Sequence, residues 1–275
     1  MTDARLLRQL TFALMVATRF DKDKGMSRAL LIFCVVLFPV CFPDCARAAQ
    51  TNSNAQLTQI IHEVSLLLPD GPPRRATLNE IVPETNAVKT GSDSRAELTF
   101  PNLTITRLGA NTLYRFKNAG RRVDLDSGST LIRVPKNSGG ASVLTSSITA
   151  GSAGTTFIFE YARNGSARLI VLEGSARLTL VKQGNQTRTI GAGEMLEVPP
   201  GAVRIPGPKQ VDLAQLMRTS PLIVGFRPLP SLDLINNSIR QQQQRGQLNQ
   251  PNNRNGPPSP QNQPGPAAPP GPGPR

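Results

Sequence analysis

The sequence predicts an all-β fold, and three observations carry that expectation. Between Val88 and Val198, short runs of alternating residues are separated by Gly-centred turns, as in SRAELTF (94–100), VDLDSGSTLIRV (123–134), GTTFIFEYARNGSARLIVLEGSARLTLV (154–181) and GAGEMLEVPPG (191–201). Glycines at 109, 120 and 128, and again at 165, 174 and 184, recur every 8 to 11 residues. That interval suits short strands joined by hairpins and tight corners in a sandwich, roll or solenoid. Within the runs Ala96, Leu98 and Phe100 fall on one face and Arg95, Glu97 and Thr99 on the other, and Phe157, Phe159 and Tyr161 repeat the alternation.

Residues 1–48 read as an export leader. From Met26, MSR forms a cationic head, Ala29 to Phe42 an apolar stretch, and Ala46-Arg47-Ala48 the small residues of a cleavage site, so cleavage is expected after Ala48. Residues 1–25 fit poorly ahead of such a head, which makes Met26 a candidate true start. The apolar stretch of 14 residues would extend roughly 21 Å as a helix, short of the ~30 Å hydrocarbon core, so no stable span is expected after cleavage. Phe33, Val40 and Asp44 precede the three cysteines, Cys34, Cys41 and Cys45, where a lipobox needs a small residue. Because all the cysteines lie here, the rest of the chain has neither disulfides nor thiolate metal sites.

The body opens with LTQIIHEVSLLL (57–68), which satisfies a helical stripe and also a strand broken at His62. PDGPPRR (69–75) ends the element in either case. Asn164-Gly165, between two alternating runs, predicts a hairpin. Helix is expected only near Val211 to Met217. PLIVGFRPLPSLDLI (221–235) is too apolar for disorder and reads either as a clasp packed across the β body or as a docking strand that adds to a sheet edge. From Gln241 onward the chain has Leu248 as its one large apolar residue and no acidic group, so it predicts a disordered tail, extended locally by its prolines. The expected organisation is thus a leader over 1–48, a β domain over 49–210, a C-terminal clasp or docking segment over 211–240 and a tail over 241–275.

An ordered series of phrases carries a family likeness: VKTGSDSRAELTF, TITRLGANTLYRF, RRVDLDSGSTLIRV, ITAGSAGTTFIFEY, ARLIVLEGSARLTL and TIGAGEMLEV. Over Gln56 to Val198 this series resembles the FecR domain, the periplasmic β-rich module of the ferric-citrate regulators. The resemblance implies that the opening segment is a first strand. It also implies that Gly91, Gly109, Gly128, Gly154, Gly174 and Gly193 sit at sharp corners, through positive φ or close backbone approach. Full regulators of this type span the inner membrane and hold a sigma factor with a cytosolic helical segment. Nothing here resembles that segment, and the small βαβ module that often follows the domain is replaced by residues 211–240. A stand-alone, exported FecR-domain protein is therefore expected.

Catalytic chemistry is scarce. His62 is the single imidazole and lies in an apolar run, where a structural role is expected, and one His without Cys builds no metal set. Asp124 and Asp126, and Glu194 and Glu197, are carboxylate pairs of the sort a glycosidase uses, but alternation with apolar neighbours already explains them as outward-facing charges. The Gly-rich GSAG (151–154) and GAG (191–193) lack the Lys-Ser/Thr that a phosphate loop requires. The chain carries 31 Lys+Arg against 18 Asp+Glu, and a surplus persists over 49–240, so its surface attracts anions. The only adjacent Arg pairs are Arg74-Arg75 and Arg121-Arg122, and no row of stacking rings accompanies them, so nucleic acid is not an expected partner. The expectation is a non-enzymatic periplasmic or secreted protein without cofactor that binds an envelope protein or ligand, with cell-surface signalling as one setting. Its alternative is a structural or matrix-associated protein attached to anionic polysaccharide through a basic β surface.

Overall fold

The computed structural model describes residues 53–181 and 184–248. The expected leader with its expected cleavage position at Ala48, and the expected tail beyond Leu248, lie outside the described residues. The first strands are β1 (Ala55–Ile61), β2 (Val64–Leu67), β3 (Arg74–Arg75), β4 (Ile81–Val82), β5 (Ala87–Thr90), β6 (Arg95–Thr99), β7 (Ile105–Leu108), β8 (Leu113–Lys117) and β9 (Arg122–Arg133). They are followed by β10 (Ala141–Leu144), β11 (Ile148–Ser152), β12 (Thr156–Tyr161), β13 (Ala167–Glu173), β14 (Ser175–Leu180), β15 (Gln186–Gly191), β16 (Glu194–Val198) and β17 (Lys209–Gln210). Two helices close the described chain, α1 (Leu213–Thr219) and α2 (Leu232–Leu248).

The strands form two layers. Sheet A runs β4-β1-β6-β7-β9-β12-β13-β16-β17 and is antiparallel throughout. Sheet B runs β3-β2-β5-β8-β9-β10-β11-β14-β15, with β9 and β10 its one parallel neighbour pair. Strand β9 belongs to both: its first half pairs with β8 and β10 in sheet B, and from Gly128 onward it pairs with β7 and β12 in sheet A. The all-β body expected from the alternation is therefore present as a two-layer roll.

Each phrase of the family-like series is one passage between layers. VKTGSDSRAELTF leaves sheet B through β5 and enters sheet A through β6, while ARLIVLEGSARLTL leaves A through β13 and enters B through β14 at Gly174. At Gly128 the backbone takes φ 110°, and a Cβ would stand 2.5 Å from Thr112 Cα, so both conformation and space demand glycine. Gly109 has ordinary φ but no room, because a Cβ would lie 2.0 Å from Ser129 Oγ.

His62 makes the first corner. It is not part of the apolar run: at φ 60° it turns the chain from β1 to β2, and its ring points outward, with Nδ1 2.5 Å from the Asp93 carbonyl oxygen. The strand template for residues 57–68 is the correct one, broken where the His stands. The Asn164-Gly165 hairpin is also present. Gly165 at φ 90° follows a turn closed by Gly165 N–H donating to the Ala162 carbonyl (2.9 Å), the glycine bulge that matches strand twist.

Between the layers, Leu98, Phe157, Phe159 and Leu169 of sheet A meet Val88, Tyr114, Phe116 and Leu178 of sheet B, all fully or almost fully buried. Phe100 and Phe116 meet edge to face at 5.0 Å. The Tyr114 hydroxyl reaches Thr106 Oγ1 (3.4 Å), and burial pushes its pKa upward.

A second apolar cluster lies on the outer side of sheet A. Leu131, Ile158, Ile170 and Leu172 face outward and are covered by Leu213, Leu222, Leu229 and Ile235. Helix α1 starts at Asp212, whose side chain accepts from Gln215 N–H (2.9 Å). Helix α2 differs from the expectation that helix is confined near 211–217. Its Ile235 and Ile239, four residues apart, share one face and reach the same apolar sheet, so tertiary contact overrides the weak propensity of Asn236 and Asn237. Helix also continues through Gln241 to Leu248, into the segment expected to be a disordered tail, because glutamine extends an existing helix at little cost. Residues 221–235 form turns and a helix start, so they are not a strand.

Replacing Gly128 by Val combines positive-φ strain with a clash against Thr112. We expect Gly128→Val to destabilise the fold by about 3 kcal/mol in urea unfolding, and a loss near zero would show that the shared strand does not depend on this bend.

Candidate functional site

An open concavity of about 1100 Å³ lies at the end of the β12–β13 hairpin beside the Gly128 corner. Strand register places Ser129, Glu160, Arg168 and Glu197 side by side across four strands on the outward side of sheet A. Arg168 donates to Glu160 Oε2 through Nη2 (2.6 Å) and Nε (3.0 Å), and Lys209 Nζ donates to Glu197 Oε2 (2.5 Å). Hydrogen bonding from Lys209, reinforced by its charge, holds the Glu197 carboxyl below the usual carboxylate range. Both carboxylates are thus engaged by cations. Exposed pairs of this kind add little to stability. Arg163 stands at the hairpin turn on the rim.

The residues singled out in the sequence are not brought together. Asp124 pairs with Arg122 (3.3 Å) and Asp126 with Arg115 (2.5 Å) on the outward side of sheet B. Glu194 accepts from the Gly191 N–H (2.8 Å) and closes the β15–β16 turn, away from the Glu197 ion pair. The Gly-rich stretches 151–154 and 191–193 are a strand end and corners, with Gly154 and Gly193 at positive φ. Among the described residues no group of three His, Cys, Asp or Glu could hold a metal ion.

Sequence reasoning missed a buried polar latch. Arg107 and Glu97 are neighbours on β7 and β6, and Arg107 is 1% exposed while its Nε donates to Glu97 Oε2 (2.9 Å). Its other nitrogens donate to the carbonyls of Leu222 (3.3 Å) and Arg227 (2.5 Å), and its guanidinium lies 4.6 Å from the Phe226 ring centre. Arg95 donates to the carbonyls of Pro221 (3.0 Å) and Val224 (2.8 Å), and Gln59 Nε2 donates to that of Gly225 (2.8 Å). Sheet A thereby grips the 221–227 turn through its carbonyl oxygens. Burial lowers the Arg107 pKa and the Glu97 contact opposes that shift.

A smaller latch joins Thr156 to Glu173 Oε1 (3.0 Å) and to Ser231 Oγ (2.8 Å), tying β12 to the start of α2. Burial raises the Glu173 pKa, against the Thr156 hydrogen bond and the charges of Arg133 and Lys136. The sequence signal was present as polar residues at outward strand positions among apolar neighbours, but nothing local names their partners in the C-terminal segment, 75 and more residues away.

The fold and these contacts define a two-layer, β-rich module. Residues 86–177, about a third of the chain, match the family model described as FecR protein. Two crystal structures of a chain described as a candidate anti-sigma factor from Parabacteroides distasonis align with 16% identity and a TM-score of 0.42. Each alignment covers 48% of this chain and 62% of the other, so the chain spans less than two thirds of those relatives' length. Comparison with curated proteins gives no match. No helix among the described residues is long and apolar enough to cross a membrane.

Removing one partner of the buried pair strands the other. Arg107→Ala is expected to cost about 3–5 kcal/mol in denaturant unfolding, and the double change Glu97→Leu with Arg107→Met less than Arg107→Ala alone. For Glu173 the folded pKa is raised, so the folded state holds the proton more tightly than the unfolded chain. Its contribution is fully present below the unfolded value near ~4.3 and is lost as pH rises through the raised folded value. Glu173→Gln keeps an acceptor for Thr156 and removes the titration, so its stability relative to the parent should rise between pH 4 and pH 7. A constant difference across that range would contradict the raised pKa.

Proposed function

We propose that this chain is a non-enzymatic, exported FecR-domain protein, periplasmic or secreted, that binds an envelope protein in a cell-surface signalling context. Under this reading residues 1–48 are a leader cleaved after Ala48, residues 49–210 the binding domain, residues 211–240 its clasp, and residues 241–275 a tail leading away from it.

The observation that carries the reading is the cleft at the β12–β13 hairpin. It is open and lined by polar and apolar groups alike, its carboxylates are engaged by Arg168 and Lys209, and its rim presents the hairpin turn with Arg163. A surface whose charges alternate in fixed register discriminates between partners by complementarity, since a mismatched charge is repelled while a matched one replaces an existing pair. The FecR match over residues 86–177 supports the same reading, because that segment includes Ser129, Glu160, Arg163 and Arg168.

The test is capture from an envelope fraction with the chain beginning at Ala49, run beside a variant carrying Arg163→Glu and Arg168→Glu. A protein partner retained by the parent and lost by the variant is the expected result, with both showing the same thermal unfolding. Equal retention would remove the cleft as the recognition surface.

A further inference from the structure

The two outward faces of the roll have opposite chemistry. Sheet A turns Leu131, Ile158 and Ile170 outward and the C-terminal segment covers them. Sheet B turns hydroxyls and cations outward, and Arg115, Lys117, Arg122, Arg177, Thr187 and Thr189 are exposed. Register aligns them in rows. Lys117, Arg122, Ser142, Gly151, Arg177 and Thr189 lie side by side across successive strands from β8 to β15. The neighbouring row is Arg115, Asp124, Leu144, Thr149, Thr179 and Thr187. At ~4.8 Å per strand each row extends roughly 24 Å.

Gly151 interrupts the first row. With no side chain there, a shallow trough of about 440 Å³ opens between Thr149 and Thr179 on one side and Arg177 and Thr189 on the other. Ser152, at the trough wall, has a buried Oγ without a hydrogen-bond partner. Gly151 is not held at positive φ, and a Cβ there would meet only ordinary contacts, Ala141 O at 3.7 Å and Ser142 Cβ at 3.9 Å. The glycine is therefore not demanded by the fold.

Charge on this face is one-sided. Asp124 and Asp126 are already engaged by Arg122 and Arg115. Lys89, Lys117 and Arg177 have no carboxylate within ion-pair distance among the described residues. The rings of Tyr114 and Phe116 point into the core, so this part of the face offers no platform for stacking bases. Its rows carry one large apolar side chain, Leu144, too little for burial in a lipid interface.

We propose that the outward face of sheet B is a docking surface for an acidic polysaccharide of the polyuronate kind. The chain lies across the strands along the Gly151 trough, its carboxylates toward Lys117 and Arg177 and its ring hydroxyls toward Thr149, Thr179 and Thr189. A hexuronate repeat is about as long as the spacing between strands, so successive sugars meet successive strands. The surface lies on the opposite layer from the sheet A cleft, and neither reading rests on the other.

The test is binding of the purified chain to polygalacturonate, with polyphosphate and duplex DNA as competitors at matched charge concentration and uncharged dextran at matched mass concentration. The expected result is binding that weakens with salt, competition by free polygalacturonate and not by dextran, and at least tenfold weaker binding for Gly151→Glu and for the pair Lys117→Glu with Arg177→Glu. Arg163→Glu with Arg168→Glu in the sheet A cleft should leave this binding within twofold, which separates the two surfaces. Should Gly151→Glu unfold the chain, Gly151→Thr fills the trough without a charge and is expected to weaken binding as well. Undiminished binding by the folded face variants would overturn the proposal. Equal competition by polyphosphate or DNA would overturn it too, by reducing the face to a general cation surface.

Discussion

Every passage of the backbone from one layer to the other exposes peptide groups that no ladder can pair, and the roll depends on how those corners are satisfied. Threonine hydroxyls do much of it. Thr90 Oγ1 donates to the Gly109 carbonyl (2.6 Å) and accepts from Thr112 N–H (2.9 Å), while Thr112 Oγ1 donates to the Ser129 carbonyl (3.2 Å) and accepts from Ser129 N–H (3.1 Å). Thr155 Oγ1 repeats the arrangement with the carbonyl (2.9 Å) and N–H (3.3 Å) of Ser175. A hydroxyl both donates and accepts, so one buried Thr satisfies two backbone groups that would otherwise each cost about 1–3 kcal/mol. The corners consequently stack against one another, and strand β9 can cross from sheet B to sheet A without leaving the core.

This construction leaves two outward faces, and they are finished differently. Sheet A presents leucine and isoleucine, which need cover, and the chain supplies it from its own C-terminal segment. The latch fixes where that cover sits. Arg107 presents donors to two carbonyl groups of the 221–227 turn while Glu97 balances its charge, so the contact is specific in a way that apolar burial alone is not. A buried pair of this sort adds little net stability compared with an apolar substitute, and its contribution is to one particular arrangement of turn on sheet. Sheet B presents hydroxyls and cations, which water already satisfies, and those side chains stay exposed.

Much of the fold was legible because strand alternation and corner glycines are local. Phe157, Phe159 and Tyr161 declare their common face by position alone, and Gly128, Gly154 and Gly174 declare corners because residues with a Cβ rarely take their φ values. The break at His62 was visible too, but its solvent exposure was not, since the apolar residues on either side point inward from two different strands. Helix α2 was obscured for the converse reason. Its Asn and Gly content argues against helix in isolation, and the apolar surface of sheet A, with residues sixty and more positions earlier, makes that helix favourable.

The candidate surfaces were less legible. Arg168, Glu160, Glu197 and Lys209 are scattered in the chain and become a charge ladder only through the pairing of β12, β13, β16 and β17. By itself the sequence determined the β class, the corners and the shortage of catalytic groups, because each follows from side-chain period, backbone sterics or composition. Tertiary structure alone decided which corners stack, which face is covered and which charges meet, because those depend on strand register between segments whose order in space the local sequence does not encode.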